Sequence, residues 1–308
     1  MTRHSLFFIT LLLVVTAPCT SARQLPQVAM VATGGTIAMK VDPIAGGPVP
    51  ALTGEDLVAA VPELAELVRL KIVNFSNIPS DYMDPERWLA LSLTVSDLLK
   101  DPQIVGVVIT HGTDTLEETA YFLDLTLKTS KPVVCIGAQR NASAKDTDGP
   151  RNLINAVRQI LSTKSVNTGV TVTMNHHIIA AREARKAHTS NVQTFVPGNY
   201  GYLGYVDEER VVYFSRPLRR QTLTLPKELP RVDLVSMYAG ADGRFIRHAV
   251  ESGTKGIVVA ALGMGNVNPD VYEAIRYALD QGIQVVISTR VYQGRVLPTY
   301  SFKGGGAT

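Results

Sequence analysis

The apolar positions of this chain fall into short continuous runs separated by amphipathic stretches. Val28 to Ala32, Leu70 to Phe75, Ile104 to Ile109, Val133 to Ile136 and Val170 to Met174 show little inside–outside alternation. Strands covered on both faces read this way, as they do in parallel sheets. The intervening stretches carry helix start signals. Asp84-Pro85-Glu86 offers an N-cap followed by proline at the first helical position. Thr115-Leu116-Glu117-Glu118 fits a capping box ahead of Ala120 to Leu127, and Gly149-Pro150 opens a helix through Leu153 to Leu161. The alternation predicts an α/β fold whose larger N-terminal part is a doubly wound, mostly parallel sheet.

Ser215 to Pro230 carries three prolines and little apolar periodicity, so it reads as a linker. Beyond it come strand Val232 to Val235, a helix around Phe245 to Val250, strand Gly256 to Ala260, helix Asp270 to Leu279 and strand Gln284 to Ile287. They predict a second, smaller α/β domain. The expected layout is therefore 1–22 as a leader, 23–214 as the larger domain, 215–230 as the linker and 231–308 as the smaller domain.

The leader has its own signature. Arg3 and His4 precede the apolar run Leu6 to Val15, and small and polar residues end at Thr20-Ser21-Ala22. That is the pattern of a cleaved secretory signal, which predicts a periplasmic or secreted protein. The run is too short to span a bilayer unaided, so no permanent membrane anchor is expected. Cleavage after Ala22 would remove Cys19 and leave Cys135 alone, without an intramolecular disulfide partner. The setting of Cys135, between Val134 and Ile136, points to an inert core thiol rather than a nucleophile.

Composition narrows the classes without choosing among them. Over 308 residues, 45% are hydrophobic and 19% charged, an ordinary globular balance. Net charge is +3, and the densest basic cluster, Arg216, Arg219 and Arg220, is too short to argue for nucleic-acid binding. The six histidines show no metal-ligand spacing, which speaks against metal catalysis.

Chemistry is expected outside the carboxyl ends of the strands, where loops hand over to helices. Two such turns are rich in glycine and hydroxyls. Ala32-Thr33-Gly34-Gly35-Thr36-Ile37-Ala38 follows the first strand, and Thr110-His111-Gly112-Thr113-Asp114-Thr115 follows the Ile104–Ile109 strand. Spacing alone supports a ligand site at either turn. It does not specify the chemistry, because the first turn lacks both GxGxxG spacing and a P-loop lysine, and the chain has no G-x-S-x-G elbow.

Longer phrases carry a resemblance. VATGGTIA (Val31 to Ala38), VVITHGTDTLEETAYFLDLTLK (Val107 to Lys128) and KPVVCIGAQR (Lys131 to Arg140) resemble the two threonine signatures of the bacterial-type, exported L-asparaginases and glutaminase-asparaginases. The likeness continues through DGPRNLINAV, NYGYLGYV and LGMGNVN, and so covers nearly the whole chain after Ala22.

The resemblance implies hydrolysis of asparagine through a threonine acyl-enzyme, with no metal or cofactor. Thr36 matches the family's nucleophile and Thr113 its second catalytic threonine. Asp114 matches the carboxylate that completes the triad and holds the substrate's ammonium, and Lys186 falls at the triad lysine. Ser80 and Asp81 match positions that bind the substrate's α-carboxylate and ammonium, although the family more often has glutamine at the latter. Asn268 aligns with a residue reaching the site from a neighbouring subunit, which implies a homo-oligomer, a dimer of dimers or homotetramer. By composition alone, Lys186 would be a surface lysine and Asn268, before Pro269, a helix cap. Burying Lys186 near Thr113 would make it a base for that hydroxyl, and Asp114 would orient it.

Two departures from the family pattern are visible. The loop after the first signature, Met39 to Thr53, has no tyrosine, and the first tyrosine anywhere is Tyr82. Proton transfer at Thr36 is then expected to take another route. The chain also ends shortly after Gly304-Gly305-Gly306, before a helix that family members carry, which puts the small domain's stability in question. Asparagine and glutamine differ by one methylene, worth only about 1–3 kcal/mol of discrimination, so glutamine stays open as a second substrate. A hydrolase of another small amide, and a binding protein that has lost the chemistry, also fit these residues.

Overall fold

A computed structural model of the chain describes residues 24–218 and 220–306. The leader read in residues 1–22, and Arg219, lie outside the described residues.

The elements run, in chain order, β1 (Gln27–Gly34), β2 (Met39–Asp42), β3 (Gly47–Pro50), α1 (Gly54–Ala59), α2 (Leu64–Leu67), β4 (Arg69–Ile78), α3 (Pro85–Lys100), β5 (Ile104–Thr110), α4 (Leu116–Thr126), β6 (Val133–Ile136), α5 (Gly149–Leu161) and β7 (Val170–Met174). Then follow β8 (His177–Ala180), β9 (Arg185–Lys186), β10 (Phe195–Val196), β11 (Gly204–Val206) and β12 (Val211–Tyr213). The remainder comprises β13 (Val232–Ser236), α6 (Arg244–Glu251), β14 (Gly256–Ala261), α7 (Pro269–Asp280) and β15 (Gln284–Thr289).

The larger sheet has the order β12-β11-β8-β7-β6-β5-β1-β4. From β4 to β7 the pairing is parallel; β8, β11 and β12 extend it antiparallel. The continuous apolar runs have a plain cause. On β1, Ala29 and Val31 face a core shared with α3 and α4, while Val28 and Met30 face one shared with α1, α2 and α5. On β6, Val133 and Cys135 take the first side, Val134 and Ile136 the second. Successive side chains point to opposite faces, so a sheet covered twice needs an apolar residue at every position. Cys135 is fully buried, and that burial holds its thiol far above the ordinary range, in keeping with an inert core thiol.

Strand order also fixes where a crevice opens. The chain leaves β1 for β4 on one side, then returns to place β5 on the other side of β1. The loops after β1 and β5 therefore depart in opposite directions, and their carboxyl ends flank the gap where ligands bind in such sheets. Both threonine turns sit there.

Two local readings change. Thr115 does not close a capping box: its hydroxyl makes no bond to the first turn of α4 and donates instead to the carbonyl of Ser80 at 2.6 Å. The segment after the first turn is not irregular, because Met39–Asp42 and Gly47–Pro50 pair as an antiparallel hairpin. Thr53 then caps α1 in a true capping box with Asp56. The Asp84 cap stands as read, accepting the N–H of Arg87 at 2.8 Å ahead of Pro85.

The smaller domain has a three-stranded parallel sheet, β13-β14-β15. Its core joins Ile257, Val259 and Ala261 to Ile246 and Ala249 of α6 and to Val271, Ala274 and Ala278 of α7. Between the two sheets, residues 214–231 hold no regular element among the described residues, yet they are tied down. Arg220 pairs with Asp124 at 2.7 Å and donates to the carbonyl of Leu127, and Leu223 N–H reaches the carbonyl of Leu125.

Candidate active site

The two glycine turns meet backbone to backbone. Gly34 and Gly35 have φ of 104° and 83°, a region that L side chains rarely adopt. A Cβ on Gly35 would also lie 2.2 Å from Gly112 Cα. Glycine is thus required twice over, for conformation and for contact. The contact sets the residues that follow these glycines, Thr36 in the first turn and Thr113 in the second, on adjoining backbone segments. Thr36 is half-buried, at the start of a short 3-10 turn.

Thr113 is buried, and its hydroxyl is the centre of a polar cluster. Lys186 Nζ donates to Thr113 Oγ1 at 2.8 Å and to Asp114 Oδ1 at 2.6 Å. The Lys186 side chain is only 16% exposed, so it is not the solvated surface lysine that composition suggests. It enters from β9, whose partner β10 sets Phe195, a buried core residue, opposite Lys186. Apolar packing thereby delivers a cation to the crevice. Asp114 is largely exposed, free to present its carboxylate to a ligand as well as to the lysine.

Ser80 forms the floor. It is buried, its hydroxyl accepts the N–H of Asp114 at 3.2 Å, and its carbonyl accepts from Thr115. A Cβ on Gly112 would collide with it. Asp81, next along, is exposed at the rim. Asn268 stands apart from these residues within the chain. It caps α7, accepting from Val271 N–H at 3.0 Å, while its amide nitrogen donates to the carbonyl of Ala241.

Sequence reading missed three supporting residues. Gln139 Oε1 lies 3.5 Å from Thr113 Oγ1. Asp148 receives the N–H groups of Gln139 and Arg140, fixing the turn after β6. Glu117 accepts the backbone N–H of Lys186. All three lie inside phrases that carry the resemblance, but only the folded chain reveals their contacts.

His111 completes the support beneath the second turn. Its Nδ1 meets the carbonyl of Gly112 at 2.7 Å and its Nε2 meets Thr119 Oγ1, which accepts from Trp88 Nε1. A carbonyl only accepts, so Nδ1 carries the hydrogen, and Nε2 accepts the Thr119 proton. That describes a neutral imidazole, and burial pushes its pKa down to about 4.

Chemically, the cluster offers a hydroxyl in contact with an ammonium, a carboxylate for a cationic ligand, and a second hydroxyl on the adjoining turn. Among the described residues, the N–H groups of Gly112 and Thr113 have no backbone acceptor. Such a set suits attack on a carbonyl group.

Comparison with known proteins shows the family. The family model described as asparaginase, N-terminal, matches residues 27–219, and that described as glutaminase/asparaginase C-terminal domain matches residues 231–307. The chain is 38% identical over 278 residues to the L-asparaginase of Bacillus licheniformis, covering 90% of this chain and 86% of the relative. It is 39% identical over 282 residues to the probable periplasmic L-asparaginase of Haemophilus influenzae, covering 89% and 80%. The crystal structure of the probable cytoplasmic L-asparaginase from Campylobacter jejuni aligns with a TM-score of 0.81 at 38% identity, covering 89% of this chain and 85% of that one. The chain belongs to the asparaginase family.

Proposed function

We propose that this protein hydrolyses L-asparagine to L-aspartate and ammonia, with Thr36 as the nucleophile and Thr113, Asp114 and Lys186 as the supporting catalytic groups. The observation that carries the reading is the Lys186–Thr113–Asp114 cluster at the switch point, in a chain of this family. The Thr36 hydroxyl attacks the side-chain amide carbon, the C–N bond breaks, and ammonia leaves. Water then cleaves the acyl-threonine ester, releasing aspartate and restoring the hydroxyl. Backbone N–H groups of the second turn stabilise the oxyanion of each tetrahedral intermediate, a contribution of about 3–4 kcal/mol per donor where such donors have been removed. Ser80 and Asp81 line the end that takes the substrate's α-carboxylate and ammonium. The same pocket admits glutamine at a cost set by one methylene.

The reading extends to assembly and location. Asn268 reaches a neighbouring chain's pocket in a dimer of dimers, and residues 1–22 direct export to the periplasm or beyond before removal. The names of the relatives point to both compartments, so the support for export is the leader pattern itself. Residues 215–230 link a catalytic domain, 23–214, to the smaller one, 231–308.

Ammonia release from asparagine and glutamine, measured beside calorimetric binding of aspartate, tests the proposal. Thr36→Ala is expected to abolish turnover while aspartate binding survives; near-parental turnover in that variant would overturn the nucleophile. N-terminal sequencing of extracytoplasmic protein should begin at Arg23 or nearby, and full-length protein confined to the cytosol would exclude export.

A further inference from the structure

One carboxylate grips two consecutive residues of β9. Glu117, in the first turn of α4, has a side chain only 18% exposed. Its Oε2 accepts the backbone N–H of Lys186 at 2.5 Å, and its Oε1 pairs with the guanidinium of Arg185 at 3.1 Å. Helix α4 begins just after the turn bearing Thr113 and Asp114. Glu117 therefore ties the backbone of Lys186 to the element that holds the very groups its Nζ reaches.

That tie has few substitutes. β9 is two residues long, and its partner β10 is no longer. Beyond that pairing, the hairpin's own bonds are Ala187 N–H to the carbonyl of Thr194, Thr194 Oγ1 to the carbonyl of His188, and the N–H groups of Ser190 and Asn191 to His188 Nδ1. A lysine side chain has four rotatable bonds, so a fixed backbone at Lys186 narrows the positions its ammonium can take. Arg185 is itself steadied from behind. It lies over the ring of Tyr292, 5.5 Å from the centroid, and the Tyr292 hydroxyl donates to the carbonyl of Val196 on β10. Acidic residues in a first turn commonly serve only the helix dipole. Glu118 beside it can fill that role, whereas Glu117 alone of the two makes the bond to Lys186.

We propose that Glu117 is a positioning residue for the reaction: its carboxylate, steadied by Arg185, sets Lys186 so that Nζ meets Thr113 and Asp114. The inference rests on the reading of that cluster as catalytic. Glu117→Ala removes the grip, Glu117→Gln keeps an oxygen for the Lys186 N–H but loses the ion pair, and Arg185→Met removes the brace. Misplacing a catalytic group by about 1 Å costs about a hundredfold. The alanine variant is therefore expected to lose about 100-fold in kcat for asparagine, with KM and the aspartate Kd within about threefold. Glu117→Gln and Arg185→Met should each lose about tenfold, and the pair combined no more than either alone, because both break one interaction.

Unchanged kcat in Glu117→Ala would overturn the proposal, as would a loss that disappears once rates are normalised to the folded fraction. Should the alanine variant not fold, additive losses in the milder pair would overturn it equally. A second arm is independent of turnover: acetylation of Lys186 by acetic anhydride, followed by mass spectrometry with Lys131 as the internal reference. Labelling of Lys186 is expected to accelerate in Glu117→Gln and Arg185→Met, and unchanged labelling would sink the positioning role. If the parental protein releases no ammonia from asparagine, the functional reading fails, and the labelling arm still decides whether Glu117 holds Lys186.

Discussion

The two sheets of this chain share parallel, apolar, β-branched strands and are covered differently. In the larger sheet β1, β5, β6 and β7 are buried at nearly every position. In the smaller one, β13 and β15 alternate between partly buried and exposed residues. Helices α6 and α7 both pack on the face carrying Val259 and Ile257, while Leu234 is 71% and Val286 58% exposed on the other. A sheet clamped between two helix layers gives its loops a rigid base. The crevice that gathers Lys186, Thr113 and Asp114 is mounted on that kind of base, and Asn268 on the other. If the comparison is sound, chemistry should be sensitive to the first sheet and stability unevenly sensitive across the second.

The largest effect should come from the cluster itself. Lys186→Met keeps the stem but removes the donor to Thr113 and Asp114. Turnover should fall by about 10²–10⁴-fold, the usual range for a lost acid–base partner, with the melting temperature within a few degrees of the parent. Steady-state ammonia release and a thermal melt together check it. A variant within tenfold of the parent would mean that the cluster is structural.

Beneath the site, Ile109 is fully buried on β5, one residue before the strand gives way to the second turn. Ile109→Ala leaves a cavity between sheet and helix layer, and such truncations cost about 2–5 kcal/mol. Chemical denaturation measures the loss directly. A cost under about 1 kcal/mol would show that the doubly covered sheet yields more readily than its packing implies.

The sequence made the sheet and the turns legible for different reasons. A strand covered twice writes itself as an unbroken apolar run, which is why Val133 to Ile136 and Val170 to Met174 match β6 and β7 in extent. β8, β11 and β12 were not read: β11 and β12 are three residues long, and the apolar part of β8 is only Ile178 to Ala180. One-sided cover in the smaller domain also escaped, since Val232 to Val235 looks the same whether its second face is packed or open. At the site, Gly34, Gly35 and Gly112 marked the turns, but only the longer phrases attached a role to Lys186. From composition it sits among Arg182, Glu183 and Arg185, and its burial depends on Phe195 across the hairpin. Thr115 misled for a related reason: a capping hydroxyl and a tertiary donor look identical until Ser80 is placed against it.

A smaller, pH-dependent effect separates the base of the site from its surface. His111 is held neutral with a pKa of about 4, below the 6.5 of an ordinary histidine. Between those values the unfolded chain binds a proton that the folded chain refuses. The contribution is therefore fully present above pH 6.5 and is lost as pH falls toward 4, by roughly 3 kcal/mol at most. Melting temperature should drop across that window, and less steeply in His111→Gln, whose amide can still donate to Gly112 and accept from Thr119. Parallel slopes in the two proteins would remove His111 from the account.

The smallest effect is expected on the open face, and it tests the comparison most directly. Leu234→Thr and Val286→Thr keep a strand-compatible side chain, β-branched in both cases, and change only surface that water already reaches. Substitutions of that kind fall within about 0.5 kcal/mol of the parent. Val259→Thr, on the neighbouring strand but fully buried, introduces a hydroxyl with no obvious partner and should cost about 1–3 kcal/mol. Three thermal melts under one buffer compare them, with sedimentation velocity on each sample. Leu234→Thr melting as low as Val259→Thr would mean that the face is covered in solution, and a concentration-dependent melt with a smaller sedimenting species would identify a second copy as the cover. A melt indistinguishable from the parent, at unchanged size, would establish that this sheet needs only one layer of helices.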